Sequence, residues 1–237
     1  MALSHSPSIV LNGLVVFLDA ANRKSYPGTG TTWTDLSNQN NTGTLVNAPT
    51  YNGTTNNGIF TLNGTDEYAT ITGYKGITGT AARTSIIWFK TNVLNTSYRL
   101  LGWGTTTAGS KWNISLDATT YRVRAEIATG VVVCNSGTTN VADTNWHMVA
   151  STAPASGTAN DIKVYIDGNL ITDVTITSGA TAINTASSAD VSFGASIADA
   201  APGYLNGNIA VGQIYNRQLS AAEIQQNFNA LRGRFGI

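Results

Sequence analysis

Apolar residues along the chain fall in short runs or in strict alternation, with Gly, Asn, Asp, Thr and Pro clustered between them. Runs such as GLVVFLDA (13–20), GIFTLNG (58–64), EYATIT (67–72), TSIIWFKT (84–91), RLLGWG (99–104), KWNISLD (111–117), GVVVC (130–134), WHMVAST (146–152), DVSFGAS (190–196) and GNIAVGQIYN (207–216) have the length of strands. In YRVRAEI (121–127), Tyr121, Val123, Ala125 and Ile127 share one face, and Arg122, Arg124 and Glu126 share the other, which predicts a half-solvated strand. LVVFL and SIIWF are apolar on both faces and are expected mid-sheet, with Trp88 and Phe89 filling opposite sides. Asp167-Gly168-Asn169 supplies turn residues inside DIKVYIDGNLITDVTI, so 161–176 reads as a hairpin. About a dozen strands with almost no helical periodicity predict an all-β fold of two packed antiparallel sheets.

Two segments break the pattern. Residues 21–57 hold few apolar pairs, but Tyr26, Trp33, Leu36, Leu45 and Tyr51 can pin them to a sheet as an ordered loop layer. The C-terminal IYNRQLSAAEIQQNFNALRGRFGI reads as one helix over about 220–232. Ser220 and Glu223 form a capping box, Ile224, Phe228 and Leu231 make one apolar stripe, and Gly233 is placed to end it. The stripe asks for a single sheet surface beneath it. The domain reading is therefore an N-terminal arm (1–11) followed by one domain (12–237).

Charged residues are only 11 % of the chain, and 13 basic groups balance 13 acidic ones. No field of either sign is available to grip nucleic acid or an anionic membrane. The neutral polar surface suits a protein packed among many copies, where contacts desolvate few charges. A lone cysteine, Cys134, excludes an intrachain disulfide and reads as a buried thiol. MALSHSPSIVLNGLVVFLDA has neither a basic n-region nor a run long enough to span a membrane, so the expectation is a chain made in the cytoplasm without a signal peptide. The N-x-[ST] triplets at Asn40, Asn52, Asn63, Asn95 and Asn113 are then chance products of an Asn/Thr-rich composition.

The order GNIA…QIYNRQLSAAEI at 207–224 resembles the closing strand and helix of laminin-G-like jelly rolls of the concanavalin A-like lectin/glucanase superfamily. FTLNGTDEYATI (60–71), NWHMVA (145–150) and VYIDGNL (164–170) resemble three further segments of that family in the same order. The opening GLVVFLDAANRKSYPGTGTTWTDLSNQNNTGTLVNAPTY is similar to the N-terminal stretch of such domains in tailed-bacteriophage structural proteins. The resemblance implies a two-sheet antiparallel jelly-roll sandwich with one short C-terminal helix. Where the family usually carries an acidic pair after G-x-I, this chain has Ala210-Val211, which removes one candidate metal position.

The chemistry-bearing residues are sparse. The only glutamates are Glu67, Glu126 and Glu223, and no strand carries two acids on one face as a retaining glycosidase would. His5 and His147 belong to no nucleophilic triad, and His147, inside an apolar strand, reads as a hydrogen-bonded structural residue. A non-enzyme is expected. For calcium, which the resemblance brings into question, the rim candidates are Asp66, Glu67, Asp117 and Asp143, with solvated turn carboxylates as the plainer reading. For a glycan, the candidates are Trp33, Trp103 and Trp112, against the alternative that all five tryptophans are anchors. Arg232, Arg234 and Phe235, beyond the helix, are candidates for partner contact.

Two functional expectations follow from these residues and the resemblance. One is a non-catalytic structural protein on a tailed-phage virion, a head decoration or a fibre or tail component, with other virion proteins or further copies of itself as partners. The other is a carbohydrate-binding module for cell-surface glycans.

Overall fold

The computed structural model describes residues 7–91, 98–117, 120, 122–128, 130–135 and 141–237. His5, Asn95 and Tyr121 lie outside the described residues, as does the side chain of Cys134. Two sheets, antiparallel throughout, form a sandwich. The first holds β1 (Leu14–Asp19), β4 (Thr50–Asn52), β5 (Ile59–Asn63), β7 (Arg83–Thr91), β12 (His147–Ala153), β13 (Lys163–Ile166), β14 (Asn169–Leu170) and β17 (Asn206–Tyr215). Its order is β14-β13-β12-β7-β17-β5-β4, with β1 paired to the far part of β17. The second sheet runs β15 (Val174–Ile176), β11 (Val131–Asn135), β10 (Val123–Ala128), β9 (Lys111–Leu116), β8 (Tyr98–Gly104), β16 (Val191–Phe193), β6 (Tyr68–Ile71), β3 (Gly43–Val46) and β2 (Thr32–Trp33).

The two faces of the first sheet are both covered. Towards the second sheet, Val16, Leu18, Phe60, Ile87, Phe89 and Ile214 meet Trp103, Trp112, Ile114, Leu116 and Phe193 in the main core. On the other face, Ile86, Trp88, Met148, Val211 and Tyr215 form a second core beneath α1 (Ala221–Phe235), which contributes Ile224, Phe228 and Phe235. Trp88 and Phe89 thus fill opposite sides of β7, as their alternation requires. Ala210 and Val211 lie in the helix-side core, so apolar residues suit that position. The capping box forms as expected: Glu223 N–H donates to Ser220 Oγ at 3.3 Å and Ser220 N–H to Glu223 Oε2 at 2.9 Å.

Four features depart from the sequence reading. The helix runs through Gly233 to Phe235 and is capped by Gly236 in the left-handed conformation. Phe235 explains the extension: its ring stacks on Trp88 at 4.4 Å and packs on Trp146 at 4.7 Å, which offsets the roughly 1 kcal/mol cost of an internal glycine. Second, β1 is an edge strand rather than a central one. Its free side is satisfied by the following loop: Phe17 N–H donates to Asp35 Oδ1, Leu36 N–H to Phe17 O, and Asn41 Nδ2 to Val15 O.

Third, the hairpin at 161–176 closes through Asp167 (φ 50°) and Gly168 (φ 80°). Its return arm is only β14, after which the chain crosses to the other sheet as β15, paired to β11. Fourth, the 21–57 layer contains three short strands (β2, β3 and β4), anchored by buried Tyr26, Trp33 and Leu45. Ser8 and Val10, within the stretch read as an N-terminal arm (1–11), are bound to the body: Val10 N–H donates to Asn227 Oδ1, Tyr215 OH to Val10 O, and Gln226 Nε2 to Ser8 O.

Candidate functional site

The helix covers the outer face of the first sheet, whereas among the described residues no apolar cluster covers the outer face of the second. In β9 the side chains of Trp112, Ile114 and Leu116 point into the main core, which sends Lys111, Asn113 and Ser115 outward. β10 behaves alike, with Val123, Ala125 and Ile127 inward and Arg124 and Glu126 outward. The register aligns Thr44, Thr70, Ser192, Gly102, Asn113 and Glu126 in one polar row across six strands. A Cβ at Gly102 would sit 2.5 Å from Asn113 Oδ1, so a larger residue there would have to displace the Asn113 side chain.

Glu126 ends this row, and it is not solvated as the alternation suggested. It is 4 % exposed and Lys111 2 %, because the loop after β16 folds over them. Gly194 N–H donates to Leu100 O and Arg99 N–H to Gly203 O, tying both ends of that loop to β8. Asp199 is thereby lowered onto the cluster. Lys111 Nζ bridges Glu126 Oε2 at 3.0 Å and the Asp199 carboxylate at 2.9 Å. Arg99 Nε donates to Asp199 Oδ2 at 3.0 Å, and Arg124 Nη2 lies 3.3 Å from Glu126 Oε1. Ser115 Oγ completes the shell of Glu126 at 3.0 Å. Arg99, Thr106, Lys111, Arg124, Glu126 and Asp199 open on a cavity of about 370 Å³.

This pair of acids shows in no single-strand pattern, because Glu126 lies in β10 and Asp199 in the loop after β16. Both accept from the one Lys111 ammonium, at 3.0 and 2.9 Å, and two neighbouring acids raise the question of glycoside hydrolysis. The electrostatics oppose that chemistry. Burial would raise the Glu126 pKa, but Arg99, Lys111 and Arg124 outweigh it and hold the carboxyl below its ordinary value. A general acid needs the opposite shift. The arrangement is suited to holding a polar ligand against fixed, mutually oriented charges.

The candidates named from sequence lie elsewhere. Trp33, Trp103 and Trp112 are each at most 1 % exposed, so none presents a face to a sugar. Their indoles serve the core: Trp103 Nε1 donates to Ile77 O, Trp112 Nε1 to Ser85 Oγ, and Trp33 packs edge-on against Phe60. Arg83, fully buried, lies over the Trp112 ring and donates to the carbonyls of Ile77, Gly79 and Ala81.

The four carboxylates proposed for calcium do not converge. Asp66 and Glu67 close a turn on Asn63, Asp117 pairs with Arg124 at 3.2 Å, and Asp143 faces His147. Among the described residues, no three His, Cys, Asp or Glu side chains are grouped to hold a metal ion. Of the proposed partner contacts, two are spent inside the fold. Arg234 pairs with Asp19 at 2.6 Å and donates to the carbonyls of Asn56 and Gly58, and Phe235 lies in the helix-side core. Arg232 remains exposed, its guanidinium over the Phe228 ring.

His147 is held from both ring nitrogens, Nδ1 to Asp167 Oδ2 at 2.8 Å and Nε2 to Asp143 Oδ1 at 3.0 Å. Burial would lower its pKa, but the two carboxylates raise it above the usual 6.5. The stability it contributes is full below 6.5 and is lost as pH rises through the higher folded value. Glu223, drawn down from 4.5 to about 2 chiefly by the Arg217 guanidinium, behaves oppositely. Its contribution is present above 4.5 and is lost as pH falls towards 2. The melting temperature is therefore expected to be highest between about pH 4.5 and 6.5, and His147→Gln should flatten the decline on the alkaline side. Melting curves of both proteins at constant ionic strength check this; parallel alkaline declines would contradict it.

Comparison with known proteins agrees with this architecture. A family model described as the concanavalin A-like lectin/glucanases superfamily matches residues 63–225, more than half of the 237. No curated protein matches the chain. Among solved structures, the binding domain of Paraclostridial Mosquitocidal Protein 1 is 17 % identical, with a TM-score of 0.65 over 92 % of this chain and 52 % of that one. Trypanosoma rangeli sialidase in complex with sialic acid is also 17 % identical, with a TM-score of 0.64 over 98 % of this chain. The chain spans about half the length of the first and 36 % of the second. Domain 4 of AbnA, a GH43 extracellular arabinanase from Geobacillus stearothermophilus solved in complex with arabinotriose, is 15 % identical, with a TM-score of 0.63 over 94 % of this chain and 99 % of that one. At such identities these likenesses speak for the fold, and together with the family match over 63–225 they place the chain in the concanavalin A-like lectin/glucanases superfamily.

Proposed function

We propose that the chain is a non-catalytic glycan-binding module carried in many copies on the surface of a tailed-bacteriophage particle, as a head decoration or as a fibre or tail component. The observation that carries the binding half is the built pocket on the outer face of the second sheet. There Arg99, Lys111, Arg124, Glu126 and Asp199 hold one another around about 370 Å³, within the roughly 300–1,000 Å³ of small-ligand clefts. Side chains locked in a network are preorganised, so a ligand orders little on binding. The lectin-type fold and its likeness to an arabinanase domain solved with arabinotriose support the same reading.

The non-catalytic half is supported by the Glu126 carboxyl, held below its ordinary value where a general acid needs the opposite shift, and by the salt bridges that engage both Glu126 and Asp199. The particle half rests on the resemblance of residues 13–51 to phage structural proteins and on the low, balanced charge. Neighbouring copies and other virion proteins are the partners this implies.

Purified protein applied to a glycan array, with and without calcium, should retain at least one glycan class; retention of none would overturn the binding half. Mass spectrometry of purified particles should find the chain among their proteins, and its absence would overturn the particle half.

A further inference from the structure

We propose that the pocket over Glu126 selects a sugar bearing a carboxylate and that Arg99 reads that group, an inference that rests on the glycan-binding reading above. The argument turns on which hydrogen-bonding capacity remains free. Glu126 Oε1 already accepts from Ser115 Oγ and faces Arg124, while Oε2 accepts from Lys111 and, at 3.4 Å, from Asn113 Nδ2. Asp199 accepts from Arg99 Nε and from Lys111. Both carboxylates of the lining are thus engaged with donors of the protein.

The donors are not fully engaged. Arg99 Nη1 is buried without a hydrogen-bond partner, and the carboxylate oxygen nearest in charge, Glu126 Oε1, is 3.9 Å away, outside hydrogen-bond range. The Lys111 ammonium has three N–H groups and directs two to carboxylates. The unpaired acceptor in the neighbourhood, Asn113 Oδ1, lies against Gly102, and Asn113 is not part of the cavity lining.

A neutral hydroxyl entering between these charges would gain a donor, but its own proton would meet carboxylates already engaged by Arg99, Lys111 and Ser115. A carboxylate only accepts, and a charge-assisted bond to guanidinium is roughly twice as strong as a neutral one. Net charge is not the basis of selection, since Arg99, Lys111 and Arg124 are balanced by Glu126, Asp199 and the neighbouring Asp117. Among the described residues the lining is otherwise Thr106, Gly130, Ala200 and Ala201. Small residues leave room for a ring, and with no aromatic among the described lining residues recognition falls to polar groups.

Isothermal titration with two matched pairs tests this: tri-galacturonate against its methyl ester, and sialyllactose against lactose. At least one acidic member should bind tenfold or more tighter than its neutral counterpart. Arg99→Gln should remove that preference, and Arg99→Lys, which keeps the charge but not the fork, should retain part of it. Equal binding within both pairs, or a preference that survives in Arg99→Gln, overturns the inference. If Arg99→Gln fails to fold, the matched pairs on the unaltered protein and the Arg99→Lys variant still decide. If the array retains some glycan while neither acidic probe is preferred, this inference fails and the glycan reading stands. If nothing is retained on the array or in the titrations, both fail.

Discussion

Replacing Trp88 by alanine is expected to destabilise the fold by about 3–5 kcal/mol, the range for large aromatic truncations in a packed core. Trp88 is fully buried at the centre of the helix-side core, with its strand partners Met148 on β12 and Val211 on β17. Its indole stacks on Phe235 at 4.4 Å and lies nearly parallel to Phe228 at 5.7 Å. Removing it takes away the surface on which the last two turns of α1 rest. A helix of this length is marginal alone, so the helix should loosen before the sandwich does. Denaturant unfolding followed by far-ultraviolet circular dichroism reads the total loss, and proteolysis within 221–237 reads the detachment. Trp88→Phe is the control: it keeps a stacked ring and removes Trp88 Nε1, a buried donor without a partner. It should cost no more than about 1 kcal/mol. An alanine variant with an unchanged unfolding midpoint would contradict this placement.

Much of that arrangement is legible in the chain itself. SIIWF shows apolar residues at consecutive positions, so both faces of its strand must be buried, and the capped stripe of Ile224 and Phe228 supplies the cover for one of them. What the local pattern does not carry is pairing. LVVFL has the same two-sided apolar character, yet β1 lies at an edge, because Asp35, Leu36 and Asn41 satisfy its free side and stand in for a neighbouring strand. Nothing in a five-residue run distinguishes a strand covered by a loop from one covered by another strand.

The candidate site shows the same division. The alternation of KWNISL and YRVRAEI puts Lys111, Asn113, Ser115, Arg124 and Glu126 on one face. The registers Arg124↔Ser115 and Glu126↔Asn113, which bring them together, are tertiary facts. Asp199 comes from a loop some seventy positions later, positioned by backbone bonds from Gly194 N–H to Leu100 O and from Arg99 N–H to Gly203 O. Tryptophan offered a misleading signal. It stood in loop-flanked runs, as a sugar platform does, but its large apolar area was drawn into the space between the sheets.

Lys111→Met is the substitution expected to cost about as much as Trp88→Ala, roughly 3–5 kcal/mol, for the opposite physical reason. The methionine fills nearly the same volume, so no cavity opens; what is lost is the cation that separates two carboxylates. Lys111 is 2 % exposed and Glu126 4 %, so little water can replace the ammonium, and Glu126 and Asp199 would face each other with Arg99 and Arg124 as their remaining counter-charges. The cost should shrink when the charge is removed along with its partner: Lys111→Met with Glu126→Gln should recover most of the loss, since breaking a buried pair is far costlier than deleting it. It should also shrink with acid. With Lys111 gone, burial acts on Glu126 with one fewer opposing cation, so its folded pKa rises, and the deficit of the single variant narrows as pH falls through that value. Urea unfolding of the four proteins of this cycle at two pH values measures the coupling directly. A single variant within about 1 kcal/mol of the unaltered protein would mean that the cluster is screened by solvent, and that the fixed charges invoked for ligand selection are not held in place by one another.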